Sequence, residues 1–199
     1  MAAKFVLASA SPRRHQLLAE AGFLFDVAHP TVSESESAVL TIRELTICNA
    51  ARKAIAVART RPDAVVLGAD TLVALDRSVI GKPRDLADAR RFLRRLRGRE
   101  HQVCTSVFIC SCGDDRVASF SVTTQVRFRP LTDDEIAAYL AKINPLDKAG
   151  AYAAQGHGAE IIAQIRGSYT NVVGLPMGET LRALRHFGIR AGRLQRRRR

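Results

Sequence analysis

The sequence predicts an α/β fold around a mixed sheet, and two observations support this. Short apolar runs typical of buried strands alternate with segments that carry helix-capping residues, which indicates strand–helix units. The middle of the chain instead has two strand-like segments separated by a turn at Gly113-Asp114, which indicates an antiparallel pair. The 199 residues, 47% of them hydrophobic and 25% charged, suffice for one globular domain.

The first strand and the first helix form one continuous motif. An apolar run over 5–8 predicts a strand, and a helix is predicted over 12–21 with Ser11 as its side-chain cap. The free N–H groups at a helix N-terminus attract anions, and Arg13 and Arg14 add two positive charges. The motif therefore predicts a phosphate-binding site, although an ordinary capped helix with a solvated basic first turn would have the same sequence.

The later elements are predicted from capping pairs and from the spacing of apolar residues. Thr41 and Glu44 form a capping box that begins a second helix, whose buried face is expected to carry Leu45, Cys48 and Ile55. The other predicted elements are a strand over 64–68, a helix over 85–97, antiparallel strands over 103–110 and 120–128, a helix after the Thr132 and Glu135 capping pair, a strand over 161–165 and a helix over 178–187.

Half of the formal net charge of +12 lies at the C-terminus, where residues 190–199 contain six arginines and no acid. Such runs are usually disordered and solvated, so we expect one domain over 1–189, a disordered tail over 190–199 and no specific nucleic-acid partner. No membrane-spanning stretch or signal-peptide pattern is present, so a cytoplasmic protein without a membrane partner is expected. The four cysteines lack metal-site spacing and are expected to be buried or half-buried free thiols.

Five sequence blocks follow one another in a fixed order. They are VLASASPRRHQLL over 6–18; AARKA over 50–54; GADT over 68–71 with GKP over 81–83; DKAGAY over 147–152 with Gln-Gly at 155–156; and GSY over 167–169 with GLP over 174–176. Together they resemble the Maf family of nucleoside triphosphate pyrophosphatases over about residues 5–188. The resemblance implies a curved mixed sheet with helical lobes on either side of a nucleotide cleft.

Hydrolysis of a nucleoside triphosphate requires cations to offset about four negative charges, a divalent metal and a base for the attacking water. The resemblance implies roles in catalysis for Asp70, Glu34, Lys53 and Lys82, and in phosphate binding for Ser9, Arg13 and Arg14. Asp70 is expected to accept the proton of the water, although a carboxylate directly after an apolar strand can also cap a turn. Lys53 and Lys82 can alternatively be solvated surface charges.

The expected cofactor is a divalent metal cation held by Glu34 and Asp70, whose oxygen atoms suit Mg²⁺ or Mn²⁺. The family commonly has two successive acids in this loop, and Ser33 stands in place of the first. Either Glu34 or the neighbouring Glu36 is therefore left to complete the metal site, while Glu36 can also be an ordinary solvated acid.

Three positions, Arg13, Thr71 and Gln155, resemble the family branch that acts on dTTP and UTP, and modified pyrimidine nucleotides are included in that expectation. The amide of Gln155 can both donate to and accept from a pyrimidine, whereas a glutamate there could only accept. The alternative function is a noncatalytic regulator that binds nucleotide or nucleic acid and is linked to septum formation. The resemblance also implies a possible homodimer.

Overall fold

The computed structural model describes residues 4–35, 37, 39–76 and 78–192. The strands are β1 (Lys4–Ala8), β2 (Asp26–Ala28), β3 (Ala64–Leu75), β4 (Ser78–Ile80), β5 (Glu100–Ser111), β6 (Arg116–Phe128) and β7 (Ile162–Arg166). The helices are α1 (Pro12–Glu20), α2 (Ile42–Ala58), α3 (Leu86–Leu96), α4 (Asp133–Leu140), α5 (Gly158–Ile161), α6 (Tyr169–Val173) and α7 (Met177–His186), with a 3-10 turn over Ala149–Ala151. All the predicted elements are present. The short elements β2, β4, α5, α6 and the 3-10 turn were not predicted.

The strands form one mixed sheet in the order β2-β1-β3-β5-β6-β7, and β4 pairs with β3. β1 is parallel to both β2 and β3, whereas β5 is antiparallel to β3 and β6, and β7 is antiparallel to β6. This arrangement confirms the predicted mixed α/β class.

β3 is longer than predicted, and this changes the position of Asp70. The predicted strand ends at residue 68, whereas β3 continues to Leu75. Residues 69–74 of this extension all pair with β5. Asp70 therefore lies within β3 and not at its end. On the other edge of β3, pairing with β1 stops at Gly68 and pairing with β4 starts at Val73. Within the described residues, positions 69–72 thus have no strand partner on that edge, and the sheet is open there.

Two apolar clusters lie on one face of the sheet. The first packs α1 and α7 against the N-terminal half of β3, and the second packs α3 and α4 against its C-terminal end. Because side chains alternate between the two faces of a strand, Thr71 of β3 and its partner Thr105 of β5 lie between these clusters. The face therefore has a polar region at the open edge, bordered by apolar cores.

The opposite face of the sheet is covered by α2, which approaches β3 very closely at Gly68. A Cβ atom at Gly68 would lie 2.4 Å from the Ala50 carbonyl oxygen and 2.8 Å from the Ala54 nitrogen. The residues of α2 that face Gly68, Ala50 and Ala54, consequently have small side chains. The prediction was correct for Leu45 but wrong for Cys48 and Ile55, which are exposed.

Helix caps and cysteines show two further differences from expectation. Both predicted capping boxes are present, but the Ser11 side chain makes no capping hydrogen bond. The backbone N–H of Ser11 instead donates to Ser9 Oγ at 3.2 Å. All four cysteines are free; Cys104 and Cys110 are buried as expected, whereas Cys48 and Cys112 are exposed.

At the C-terminus, the described residues end at Gly192, whose N–H donates to the Gly22 carbonyl at 2.8 Å. Most of the predicted tail, residues 193–199, lies outside the described residues. None of the helices among the described residues is both long and apolar enough to cross a membrane.

Candidate active site

A cavity of about 520 Å³ opens at the unpaired edge of β3, and this volume is in the range of small-molecule sites. Its walls come from the loops after β1, β2 and β4, from α2, and from the segment around the 3-10 turn. The sequence-predicted site residues that line it are Ser9, Arg13, Arg14, Glu34, Lys53, Asp70, Thr71, Lys82 and Gln155. The fold therefore brings residues from six separate stretches of chain around one space. Glu36, the alternative metal ligand, lies outside the described residues.

Two carboxylates in this cavity share one lysine. Lys53 Nζ donates to Asp70 Oδ1 at 2.7 Å and to Glu34 Oε1 at 2.6 Å. Lys82 Nζ lies 3.4 Å from both oxygens of Glu34. Asp70 is only 4% exposed, and burial of a carboxylate is costly unless a cation accompanies it. Lys53 supplies that compensation for Asp70, and Lys53 and Lys82 together supply it for Glu34.

The charge state of Glu34 follows from these contacts. Partial burial raises the pKa of Glu34, but the hydrogen bond and charge of Lys53, followed by those of Lys82, lower it by more. The pKa of Glu34 is therefore below its usual value. At neutral pH Glu34 is consequently ionised, as a ligand for a hard cation must be.

Arg14 is buried and joins three parts of the structure. Its Nε donates to the Gly174 carbonyl at 2.8 Å, its Nη1 to Ser9 Oγ at 3.1 Å and its Nη2 to Thr71 Oγ1 at 3.0 Å. Burial lowers the pKa of Arg14, and the negative charge of Asp70 opposes that effect. Three of the five guanidinium N–H groups are used in these bonds, which leaves two for a bound anion.

Arg13 extends to the opposite wall of the cavity. Its Nη1 donates to Asp147 Oδ2 at 2.9 Å, and Lys148 Nζ donates to the other oxygen of Asp147 at 2.5 Å. Partial burial raises the pKa of Asp147, but the hydrogen bonds and charges of Lys148 and Arg13 lower it by more. The pKa of Asp147 therefore lies below its usual value. This ion-pair group connects the first turn of α1 to the loop that precedes the 3-10 turn.

Asn49 was not predicted as a site residue. It lies four residues before Lys53 on α2, so both side chains project from the same face of the helix. Asn49 Nδ2 donates to Asp70 Oδ2 at 3.3 Å, and Asn49 Oδ1 accepts from the Ser35 N–H at 2.7 Å. The spacing of a polar residue four positions before Lys53 is the sequence signal that could have identified it.

Thr105 was also not predicted. Its side chain is fully buried, and its hydroxyl lies 2.9 Å from Thr71 Oγ1 and 3.0 Å from the Asn171 carbonyl oxygen. No motif in the sequence contains Thr105. Only the pairing of β5 with β3 places it beside Thr71.

Glu34 and Asp70 fit a divalent cation by their chemistry. A carboxylate oxygen of each residue, Glu34 Oε1 and Asp70 Oδ1, contacts the same Lys53 ammonium group, so the two carboxylates lie close together. Mg²⁺ is commonly held by one or two carboxylates together with phosphate oxygens and water. In the part of the chain that the structure describes, no group of three or more His, Cys, Asp or Glu residues forms a candidate metal site.

Comparison with known proteins agrees with the sequence blocks. A family model described as Maf-like protein matches residues 4–187. The dTTP/UTP pyrophosphatase of Bacillus velezensis is 44% identical over 191 residues, which cover 96% of this chain and 100% of that protein. The dTTP/UTP pyrophosphatase of Symbiobacterium thermophilum is 46% identical over 185 residues, which cover 93% of this chain and 94% of that protein. The dTTP/UTP pyrophosphatase of Akkermansia muciniphila is 44% identical over 186 residues, which cover 94% of this chain and 97% of that protein.

Proposed function

The chain belongs to the Maf family and is a nucleoside triphosphate pyrophosphatase; within that class, we propose that it hydrolyses dTTP and UTP to the nucleoside monophosphate and pyrophosphate. The names of the relatives support these substrates. The observation that carries the proposal is the Lys53 contact with both Asp70 and Glu34 in a cavity that also contains Arg13 and Arg14. A carboxylate pair beside several cations suits water attack on a polyanion.

The basic residues of the cavity bind the triphosphate in this proposal. Arg14 offers its two remaining guanidinium N–H groups, and the Ser9 hydroxyl beside it offers a further polar contact. Arg13 and Lys82 also line the cavity and contribute positive charge. The N-terminus of α1 adds the partial positive charge of a helix end. These groups together offset the charge that a triphosphate brings into the cavity.

Asp70 accepts the proton of the attacking water. The water oxygen forms a bond to the α-phosphorus, the bond from that phosphorus to the bridging oxygen breaks, and pyrophosphate leaves. Asp70 already accepts hydrogen bonds from Lys53 and Asn49, but a carboxylate has about four acceptor positions and can still bind a water. Lys53 and Asn49 hold both oxygens of Asp70, so the carboxylate cannot rotate away from the water.

A divalent cation completes this proposal, with Glu34 and Asp70 as its protein ligands. When bound, such a cation supplies positive charge that stabilises the developing negative charge on phosphate oxygens. The low pKa of Glu34 keeps that ligand ionised. Lys53, which contacts both carboxylates, keeps the two ligands close together.

Thr71, Gln155 and Arg13 are the residues that select the base in this proposal. Gln155 lies half-buried in the cavity wall, and no hydrogen bond to another described residue engages its side-chain amide. The amide is therefore available to donate to and accept from one edge of a pyrimidine, which carries both kinds of group.

The experiment that tests the function is a substrate panel. The protein is incubated with dTTP, UTP, dCTP, CTP, dATP and dGTP in the presence of Mg²⁺ or Mn²⁺, and monophosphate and pyrophosphate are both measured. We expect equimolar products, the fastest turnover with dTTP and UTP, and none after the metal is chelated. A noncatalytic regulator would release neither product, and release of inorganic phosphate alone would contradict cleavage between the α and β phosphates.

Gln155→Glu is expected to lower kcat/KM for dTTP and UTP about tenfold, because a glutamate loses the amide donor and adds a negative charge beside the base. The measurement is kcat/KM across the same panel. The control is Gln164→Glu, which makes the same chemical change at an exposed position of β7 and should leave all rates unchanged. If the relative kcat/KM values across the panel are the same in Gln155→Glu as in the wild type, Gln155 does not select the base.

A further inference from the structure

Thr105 lies in the centre of β5, directly opposite Thr71 of β3. We propose that Thr105 is a positioning residue, whose hydroxyl determines the direction of the Thr71 hydroxyl and thereby makes the Thr71 oxygen a hydrogen-bond acceptor toward the cavity. The inference rests on the proposed function, because that function places Thr71 beside the base.

The Asn171 carbonyl, which Thr105 contacts, determines which hydroxyl donates in the hydrogen bond between Thr71 and Thr105. Thr105 Oγ1 is 3.0 Å from the carbonyl oxygen of Asn171, and a carbonyl oxygen can only accept. Thr105 must therefore donate its single hydroxyl hydrogen to Asn171. Toward Thr71 Oγ1, at 2.9 Å, Thr105 has only lone pairs to offer, so Thr71 donates and Thr105 accepts.

The other end of the chain of contacts gives the same direction. Arg14 Nη2 lies 3.0 Å from Thr71 Oγ1, and a guanidinium group can only donate. The sequence of donors and acceptors is thus Arg14 to Thr71 to Thr105 to the Asn171 carbonyl. The Gly174 carbonyl is a competing acceptor for Thr71, but it is 3.5 Å away and already accepts from Arg14 Nε at 2.8 Å.

Burial makes this arrangement rigid. Thr105 is fully buried and Arg14 is 8% exposed, so water does not compete for these hydrogen bonds. Thr71 is only partly buried and lines the cavity. Of the two lone pairs on its oxygen, one accepts from Arg14 and the other is free. With its hydrogen committed to Thr105, Thr71 can act on a ligand in the cavity only as an acceptor.

An acceptor at this position suits one class of base. Thymine and uracil carry an N–H donor at ring position 3, whereas the equivalent nitrogen of cytosine is an acceptor. The Thr71 oxygen can accept from the first two bases, but it faces the cytosine nitrogen with a lone pair and no hydrogen. Thr105 thereby contributes to the preference for thymine and uracil without contacting the base.

The kinetic test compares Thr105→Val with Thr105→Ser. Valine has nearly the same shape but no hydroxyl, so KM for dTTP and UTP is expected to rise about fivefold with little change in kcat, while serine should restore KM to within about twofold of wild type. The control is Thr180→Val, because Thr180 is a fully buried threonine of α7 that bonds a backbone carbonyl and does not line the cavity. Thr180→Val should lower the melting temperature and leave KM unchanged.

A second measurement needs no activity. Thermal unfolding is compared for Thr71→Val, Thr105→Val and the double variant. If the two hydroxyls bond each other, the melting temperature of the double variant falls by clearly less than the sum of the two single decreases. Additive decreases, an unchanged KM in a folded Thr105→Val, or an equal KM defect in Thr105→Ser would each overturn the positioning role. A wild-type protein that hydrolyses no nucleotide would instead overturn the proposed function, and the unfolding measurement would still decide whether the hydroxyls are coupled.

Discussion

Asp70→Asn is expected to lower kcat for dTTP by about a thousandfold, because removal of a general base typically costs two to four orders of magnitude. Asparagine retains the size of aspartate but can neither accept a proton at neutral pH nor bind a cation as a carboxylate does. The measurement is pyrophosphate release under saturating nucleotide and metal. Binding of a nonhydrolysable dTTP analogue is measured in parallel with the metal chelated, and its affinity is expected to stay within about threefold of wild type because the proposed direct contacts of the protein with the phosphates do not involve Asp70.

The surroundings of Asp70 indicate that this variant still folds. Lys53 keeps its bond to Glu34 at 2.6 Å, so the buried ammonium group is not left without a partner. The matched control is Asp76→Asn, since Asp76 directly follows the same strand but is exposed and pairs with Arg99 on the surface. Asp76→Asn should retain full turnover. Turnover above about a tenth of the wild-type rate in Asp70→Asn would exclude Asp70 as the base.

Gly68→Ala is expected to destabilise the protein by about 3 kcal/mol, because the added methyl group overlaps backbone atoms that cannot move aside as a side chain could. The clash is with the carbonyl oxygen of Ala50 and the nitrogen of Ala54 in α2. For a chain of this size, that loss corresponds to a decrease in melting temperature of about 10 °C. Turnover should also fall, because any outward shift of α2 moves Lys53 away from Asp70.

The control for this prediction is Gly178→Ala in the first turn of α7. A Cβ atom at Gly178 would meet nothing within 4 Å, and alanine is the better helix former. Gly178→Ala should therefore preserve or slightly raise the melting temperature. If Gly68→Ala and Gly178→Ala unfold at the same temperature, the close approach of α2 to β3 is not as tight as the structure indicates.

Local patterns in the sequence were sufficient for most of the framework. The two capping boxes were predicted correctly because each is formed by residues three positions apart, which lie together whatever the rest of the fold does. The apolar runs that became β1 and the first half of β3 were also recognisable, since strands buried on both faces are continuously apolar. The side-chain cap by Ser11 was wrong: Ser11 stands at the N-cap position of α1, but its side chain accepts no hydrogen bond from the first turn of the helix.

Packing between distant segments decided what the patterns left open. The buried face of α2 depends on contact with Gly68 of β3, a residue that no helix periodicity can take into account. The length of β3 depends on pairing with β5 and β4. The position of Asp70 within the strand therefore could not be predicted from the local sequence.

The sequence by itself determined the family, the mixed α/β class and the identity of the charged residues in the motifs, because each of these depends on neighbours along the chain. Only the tertiary structure showed that Lys53 bridges Glu34 and Asp70, that Arg14 is buried against Thr71, and that Asn49 contacts Asp70 and Thr105 contacts Thr71. Hydrogen bonds and ion pairs act over a few ångströms in space. Arg14 and Gly174, the most distant partners in the site, are 160 residues apart along the chain, and helix packing together with strand register brings such partners into contact.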